Sequence, residues 1–244
     1  IRAREVRYDR LWWKSRRSRE RFRLTSITTC YLLGVTMYTG IVQACLPIKS
    51  LEKKEGMYTF SIEFPEELIE NLETGASVAV NGVCFTVTRI VVHTVFFDAI
   101  AETLALSNIR FIECGTRVNI ERSAKSGAEV GGHILSGHII GTSELLSIEN
   151  SSNNKRLTFA GAPHWLKFVF EKGFLAVNGC SLTVASLRRE KGELAINLIP
   201  ETLSRTNFLR LKSGDLVNIE VESQTQVIVE TVERIMKERF SVTS

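Results

Sequence analysis

Apolar and polar residues alternate along much of this chain. Val217, Ile219 and Val221 alternate with Asn218, Glu220 and Glu222, and Val118 and Ile120 alternate with Asn119 and Glu121. A period of two puts one face of a strand on a core and the other in water, so both segments read as half-buried strands. The runs Val91 to Ile100 and Gly173 to Val177 are β-branched, aromatic or small and read as further strands. Turn signals recur at Asn81-Gly82, Cys114-Gly115, Asn178-Gly179 and Lys212-Ser213-Gly214. Short strands at this spacing predict closed barrels, because closure removes exposed edges. Helical turns are expected at Pro65 to Asn71 and at Ala162 to Glu171. From Gln226 to Phe240 the period becomes helical. Ile228, Val229, Val232, Ile235 and Met236 fall on one face, and Glu230, Glu233, Arg234, Lys237 and Glu238 on the other. Such a helix either covers its own barrel or joins copies of the chain.

The pattern is written twice. Residues 80–87 read Val-Asn-Gly-Val-Cys-Phe-Thr-Val and residues 177–184 read Val-Asn-Gly-Cys-Ser-Leu-Thr-Val, 97 positions later. Glu-Thr-Leu recurs at 102 and 201, and Val-Asn-Ile-Glu at 118 and 217, both 99 positions apart. Thr39-Gly40-Ile41-Val42 aligns with Ser136-Gly137-His138-Ile139 at an offset of 97. Four matches in one order at nearly constant spacing establish two copies of one domain of roughly 90 residues.

Composition changes this picture little. The 244 residues are long enough for two such domains. No apolar run reaches the roughly 18 residues that a membrane span needs, so no membrane segment is expected. Cys30, Cys45, Cys84, Cys114 and Cys180 are scattered and form no CxxC pair, which suggests neither a disulfide framework nor a zinc site and fits a reducing compartment. The net charge of +4 misleads, because residues 1–36 hold ten basic and three acidic residues. The remaining 21 basic and 24 acidic residues give −3, which argues against a nucleic-acid-binding protein. The basic extension at 1–36 is expected to be non-native or disordered, with a targeting segment or a genuine arm as alternatives. The first methionine, Met37, stands directly before a strand-like run.

Met-Tyr-Thr-Gly-Ile-Val at 37–42, Gly-Ala-Ser-Val-Ala-Val-Asn-Gly-Val-Cys at 75–84, Gly-Gly-His-Ile-Leu-Ser-Gly-His at 131–138, Asn-Gly-Cys-Ser-Leu-Thr-Val at 178–184 and Ile-Pro-Glu-Thr-Leu at 199–203 form an ordered set. Over residues 37–240 the chain resembles the riboflavin synthase alpha-chain family. The resemblance implies an all-β fold of two tandem six-stranded Greek-key barrels plus a C-terminal α-helix. It divides the chain into lumazine-binding barrels at 37–133 and 134–223 and a trimerisation helix and tail at 224–244. The implied activity is dismutation of two molecules of 6,7-dimethyl-8-ribityllumazine, without cofactor or metal, by a cytoplasmic homotrimer. Lumazine synthase is a candidate further partner. Each active site is expected between the N-terminal barrel of one subunit and the C-terminal barrel of another. A non-catalytic lumazine- or flavin-binding antenna protein, or an unrelated tandem-barrel interaction module, are the rival readings.

One lumazine donates a four-carbon unit to an identical one, so two like binding sites suit the reaction. Binding residues should then be duplicated and catalytic ones should not. His138 stands where the first copy has Ile41, and Cys84 where the second has Ser181. The first suits a general base and the second a nucleophile, with a hydrogen-bonded structural histidine and a small buried thiol as the plain readings. Ser77, which could orient a nucleophile or simply cap a turn, joins them as a catalytic candidate. His133 reads as structural. The resemblance places substrate contacts at Gly40, Ile41 and Val42, at Cys84, Phe85 and Thr86, and at Asp98, Ala99, Ile100, Ala101, Glu102 and Thr103. In the second copy they fall at Gly137, His138 and Ile139, at Lys172, at Ser181, Leu182 and Thr183, and at Ile199, Pro200, Glu201, Thr202, Leu203 and Ser204. Two residues depart from the family pattern. Tyr38 replaces the usual Phe, so its hydroxyl must find water or a partner. Glu222 replaces the usual Asp, which puts a catalytic role for that carboxylate in doubt.

Overall fold

A computed structural model describes residues 37–125, 127–151 and 154–241. The basic extension at 1–36 lies outside the described residues. The first barrel comprises β1 (Ala44–Lys54), β2 (Met57–Glu63), β3 (Ser77–Val80), β4 (Val83–Val91), β5 (Thr94–Ile100) and β6 (Arg117–Arg122). The second comprises β7 (Gly141–Asn150), β8 (Lys155–Ala160), β9 (Phe174–Val177), β10 (Cys180–Arg188), β11 (Glu193–Leu198) and β12 (Leu216–Val221). All pairings are antiparallel. The order around the first barrel, β1-β2-β5-β4-β3-β6, is repeated by β7-β8-β11-β10-β9-β12. Even the irregularities repeat: register shifts at Ile48/Ser50 and Val87/Arg89 recur at Leu145/Ser147 and Val184/Ser186. Bulges bend a strand, and these bends help each sheet close.

Short helices α1 (Glu66–Ile69) and α3 (Pro163–Leu166) occupy the two places expected for helical turns. α2 (Ala101–Leu106) and α4 (Pro200–Arg205) carry the repeated Glu-Thr-Leu. The expected run from Val91 to Ile100 is instead two strands, because the chain reverses at Val92, whose φ of 54° is left-handed.

Inward residues fill each barrel. Phe60, Phe85 and Phe97 pack edge-on or tilted at 5.2–6.1 Å in the first, and such aromatic pairs add roughly 0.5–1.5 kcal/mol each to simple burial. Trp165, Phe159 and Phe208 fill the second. The expectation of half-buried strands fails at β6 and β12. Asn119, Glu121, Asn218 and Glu220 are at most 5% exposed. On their outward face Asn119 and Asn218 meet the other repeat, and Glu121 and Glu220 meet the segments that lead into the barrels, instead of water.

That contact is reciprocal. The hairpins Asn81-Gly82 and Asn178-Gly179 adopt the left-handed φ values that this turn chemistry favours, and they abut back to back. A Cβ on Gly82 would lie 2.6 Å from the Gly179 nitrogen, and one on Gly179 2.7 Å from the Gly82 nitrogen. Asn119 Nδ2 donates to the Asn178 carbonyl at 3.0 Å, and Asn218 Nδ2 to the Asn81 carbonyl at 2.8 Å. The Asn207 amide donates to Asn119 Oδ1 at 2.8 Å, and the Asn108 amide to Asn218 Oδ1 at 2.6 Å. Asparagine carries a donor and an acceptor on one short side chain, so a small set of them satisfies both barrels' buried backbone groups.

Truncating one member should therefore be costly. Asn119→Ala removes bonds to Asn178 and Asn207 and leaves buried backbone groups unpaired. Urea unfolding is expected to show a loss of about 2–4 kcal/mol.

Candidate functional site

The segments that lead into the two barrels cross over. Residues 38 and 135 pair with each other: the Tyr38 amide donates to the Leu135 carbonyl at 2.8 Å, and the Leu135 amide returns the bond at 2.9 Å. From there each lead-in runs onto the opposite barrel. The Ser181 amide of β10 donates to the Gly40 carbonyl at 2.9 Å, and the Cys84 amide of β4 to the Gly137 carbonyl at 3.0 Å. Val42 is buried in the second barrel's core, while Ile139 packs against the first barrel's. The approach needs glycine: at φ of 73° and 78°, a Cβ on Gly40 or Gly137 would sit 2.5 Å from Ser181 Cβ or 2.6 Å from Cys84 Cβ.

Buried carboxylates hold these lead-ins. Glu121 accepts from the Thr39 amide at 2.7 Å, the Thr39 hydroxyl at 2.9 Å and the Gly40 amide at 3.0 Å. Glu220 accepts from the Ser136 amide at 2.7 Å, the Ser136 hydroxyl at 2.9 Å and the Gly137 amide at 3.1 Å. Burial pushes both carboxyls above the ordinary glutamate range, although these hydrogen bonds oppose the shift.

Two surface patches result. On the first barrel, Cys84 and Thr86 lie on the outward side of β4, Ser77 is paired with Thr86 across β3, and the exposed His138 follows Gly137 in the lead-in beside them. On the second, Ser181 and Thr183 take the same places on β10, and Ile41 follows Gly40. The exposed Ile100 and Ile199 stand at equivalent positions just before α2 and α4. Hydroxyls beside exposed aliphatic groups suit a flat heteroaromatic ring with a polyhydroxy tail. Asp98 accepts from the Thr59 hydroxyl at 2.7 Å, and Glu201 pairs with Arg205 within α4. Ala101, Glu102, Pro200 and Ser204 are exposed at the helix surfaces, with Thr103 and Thr202 half-buried.

Several expected contact residues point elsewhere. Phe85, Ala99 and Val42 have buried side chains in the barrel cores, as does Leu203, and Leu182 packs partly against the second core. These could offer a ligand little beyond their backbone. Lys172 is exposed and holds a left-handed φ of 65°, where the first copy has Gly75. A lysine kept in a conformation that suits glycine is worth notice at a candidate binding surface.

Each patch has its own polar partner. The buried Tyr38 hydroxyl donates to Cys84 Sγ at 3.2 Å, which meets its need for a partner. Burial drives that phenol's pKa far upward, so it stays a donor. On the second barrel His133 Nδ1 lies 2.6 Å from Ser181 Oγ. Its ring stacks on Phe174 at 5.3 Å, and its buried Nε2 has no hydrogen-bond partner among the described residues. Burial lowers the His133 pKa, with the Glu222 carboxylate acting the other way. A neutral imidazole on a serine hydroxyl has the geometry of a base beside its nucleophile. The Glu222 carboxylate accepts from Thr225 at the start of the C-terminal helix.

Cavities of about 420 and 530 Å³ lie elsewhere, in the crevice between the barrels. Arg117 and Arg210 border both, and of the expected contacts only Leu203 and Ser204 line either one. The expected residues outline open patches rather than a closed pocket. Sequence reasoning missed Glu121 and Glu220, which looked like the wet face of a strand, and set His133 aside as structural. The signal was present in the repeated Val-Asn-Ile-Glu, where a merely solvated glutamate had no reason to recur.

The profile of the Lumazine binding domain matches twice, at residues 39–123 and 136–222. Riboflavin synthase of Escherichia coli (strain K12) is 43% identical over 204 residues, covering 83% of this chain and 95% of its own. This chain belongs to the riboflavin synthase family. The Bacillus subtilis (strain 168) riboflavin synthase is 34% identical over 186 residues, covering 76% of this chain and 85% of its own. Among solved structures, LumP complexed with riboflavin superposes with a TM-score of 0.70 at 28% identity, covering 75% of this chain and 98% of that one. LumP complexed with 6,7-dimethyl-8-(1'-D-ribityl) lumazine gives 0.68 at 27% identity, covering 75% and 97%. The two domain matches correspond to the two barrels of this chain.

The raised carboxyls make stability depend on pH. The native protein binds more protons than the unfolded chain from about pH 4.3, the ordinary glutamate value, up to their raised values. Stability from this source is present below that window and is lost as pH rises through it. Urea unfolding at a series of pH values should show this fall, and Glu121→Gln with Glu220→Gln should flatten it.

Proposed function

We propose that the protein is a riboflavin synthase that converts two molecules of 6,7-dimethyl-8-ribityllumazine into riboflavin and 5-amino-6-ribitylamino-uracil by four-carbon transfer. The observation that carries this reading is a pair of equivalent patches with matched binding groups and unmatched reactive ones. Thr86 and Thr183 agree, whereas Cys84 faces Ser181 and His138 faces Ile41 in the alignment of the two copies. Two identical substrates need like sites, and their opposite roles need unlike chemistry.

The donor lumazine loses a proton from its 7-methyl group, and the resulting anion is delocalised over its ring. His138 is the assigned base. The acceptor takes a nucleophile at ring carbon 7, for which Cys84 or a hydroxide oriented by Ser77 serves; Ser181, beside His133, is the corresponding group on the second barrel. Holding the two rings face to face contributes most, up to roughly 7–11 kcal/mol of avoided entropy cost. The ribityl hydroxyls and pteridine edge are assigned to Thr86, Thr183, the two Glu-Thr pairs and Lys172.

Both patches are open, which supports a site completed by a second subunit. The C-terminal helix α5 (Ser223–Ser241) supports the same view. It meets its own barrel through Val229 and a Lys167–Glu233 ion pair of 2.6 Å. Ile228, Val232, Ile235 and Met236 remain 43–63% exposed on it. Burying such residues is worth roughly 1.5–3 kcal/mol each, so assembly as a homotrimer through this helix is the proposed use. Lumazine synthase remains a candidate partner. No helix among the described residues is long and apolar enough to cross a membrane, and Cys45, Cys84, Cys114 and Cys180 are free thiols, in keeping with a cytoplasmic location.

Likeness to the LumP complexes supports a second reading, a binding protein without turnover. Retention of Cys84 and His138 favours catalysis. Incubation with 6,7-dimethyl-8-ribityllumazine separates the two: riboflavin should form in equal amount to the pyrimidine, and fluorescent binding without product would establish the antenna instead. His138→Gln should lower turnover about 10²–10⁴-fold with little change in affinity. Thr183→Val should mainly weaken binding, by about 0.5–1.5 kcal/mol. Removal of residues 226–244 should yield monomers with little activity by sedimentation; an unchanged oligomer would leave the helix serving its own barrel.

A further inference from the structure

Glu121 and Glu220 occupy equivalent places on β6 and β12, and each is 5% exposed. A carboxylate buried to that extent is tolerated only when donors surround it. The donors here come from the lead-ins, Thr39-Gly40 for Glu121 and Ser136-Gly137 for Glu220. Each lead-in touches the opposite barrel before it turns back into its own, where the Gln43 amide donates to the Ile120 carbonyl and the Ile140 amide to the Ile219 carbonyl, both at 2.9 Å. Gly40 meets Ser181 of the second barrel, and Gly137 meets Cys84 of the first.

Both glycines abut the opposite strand too closely for any side chain. They can be fixed in place only through their backbone. A carboxylate does this well, because its two oxygens take two consecutive amides and a hydroxyl together. An amide in its place offers one acceptor oxygen and turns an NH2 group toward a backbone N–H. Displacing Gly40 would carry Ile41 with it and shift the Ser181 amide's acceptor. Displacing Gly137 would do the same to His138 and Cys84.

We propose that the two carboxylates are crossed positioning residues: Glu121 of the first barrel sets the ligand patch on the second, and Glu220 of the second barrel sets the patch on the first. The proposal rests on the lumazine reading given above. A simple structural role, gluing the barrels together, would disturb both patches alike. A positioning role disturbs only the opposite one.

Amide hydrogen exchange in the full-length protein tells these apart without any ligand. In Glu121→Gln the Ser181 amide should exchange about tenfold faster while the Cys84 amide keeps its rate, and Glu220→Gln should show the reverse. Thr39→Val and Ser136→Ala, which each remove one hydroxyl bond to the same carboxylates, should give the same crossed pattern at about threefold, and they decide the matter if a glutamine variant fails to fold. Titration with 6,7-dimethyl-8-ribityllumazine, followed by its fluorescence, adds the functional arm. The affinity loss in Glu121→Gln should be non-additive with Thr183→Val and additive with Thr86→Val, and Glu220→Gln should pair the other way. Equal acceleration at both amides, no acceleration at either, or uncrossed coupling overturns the positioning role. Failure of the unmodified protein to bind lumazine would instead sink the functional reading, whatever the exchange rates show.

Discussion

Two buried glutamates in the seam between the barrels carry an unusual share of this structure. Glu121 and Glu220 sit where strand periodicity calls for solvent, yet each is wrapped by donors from a lead-in. Removing such a carboxylate from water is expensive unless hydrogen bonds replace its hydration. The lead-ins exist in their crossed path partly because these acceptors require them. The path in turn puts Gly40 against Ser181 and Gly137 against Cys84, residues that hold the same place in the two repeats but differ in kind.

The asparagine cluster supplies the other half of the seam. It closes the gap between hairpins whose backbones touch at Gly82 and Gly179. Its bonds are reciprocal, so each barrel satisfies buried groups of its neighbour. Neither barrel could leave this arrangement without exposing unpaired amides and carbonyls. The two repeats are therefore one structural unit, although each has a complete core of its own. That rigidity suits the proposed reaction, in which orientation of two identical molecules is the main demand.

Symmetry and its breaking then divide the labour. Where the copies agree, the residues either build the seam, as Asn81 and Asn178 do, or face outward with equal hydroxyls, as Thr86 and Thr183 do. Where they differ, each side has a distinct buried polar neighbour: Tyr38 on Cys84 and His133 on Ser181. The hydroxyl of Tyr38, a departure from the family pattern, is thus accommodated by one of the groups that sets the copies apart. Under the proposed dismutation, equivalent scaffolds with unlike side chains would treat one kind of molecule as both donor and acceptor.

Much of this was legible in the chain itself. The repeat, the two barrels, the Asn-Gly hairpins, the short helices at 66–69 and 163–166 and the final helix all follow from local pattern, because turn chemistry and periodicity act between near neighbours. The candidate site residues could be named from the chain, but not which of them face outward: Phe85, Ala99, Val42 and Leu203 turn into the barrel cores. Alternation showed that Asn119, Glu121, Asn218 and Glu220 lie on the opposite face from Val118 and Val217; it could not show that the asparagines meet another barrel and the glutamates a lead-in segment. Whether Val42 belongs to the first core or the second, whether Phe85 faces the barrel interior, and which residue meets Ser181 depend on contacts between segments some 40 to 140 residues apart. Local sequence fixes which way a side chain points from its strand. Only the tertiary structure decides what stands there to meet it, since burial is a property of the partner surface and not of the strand.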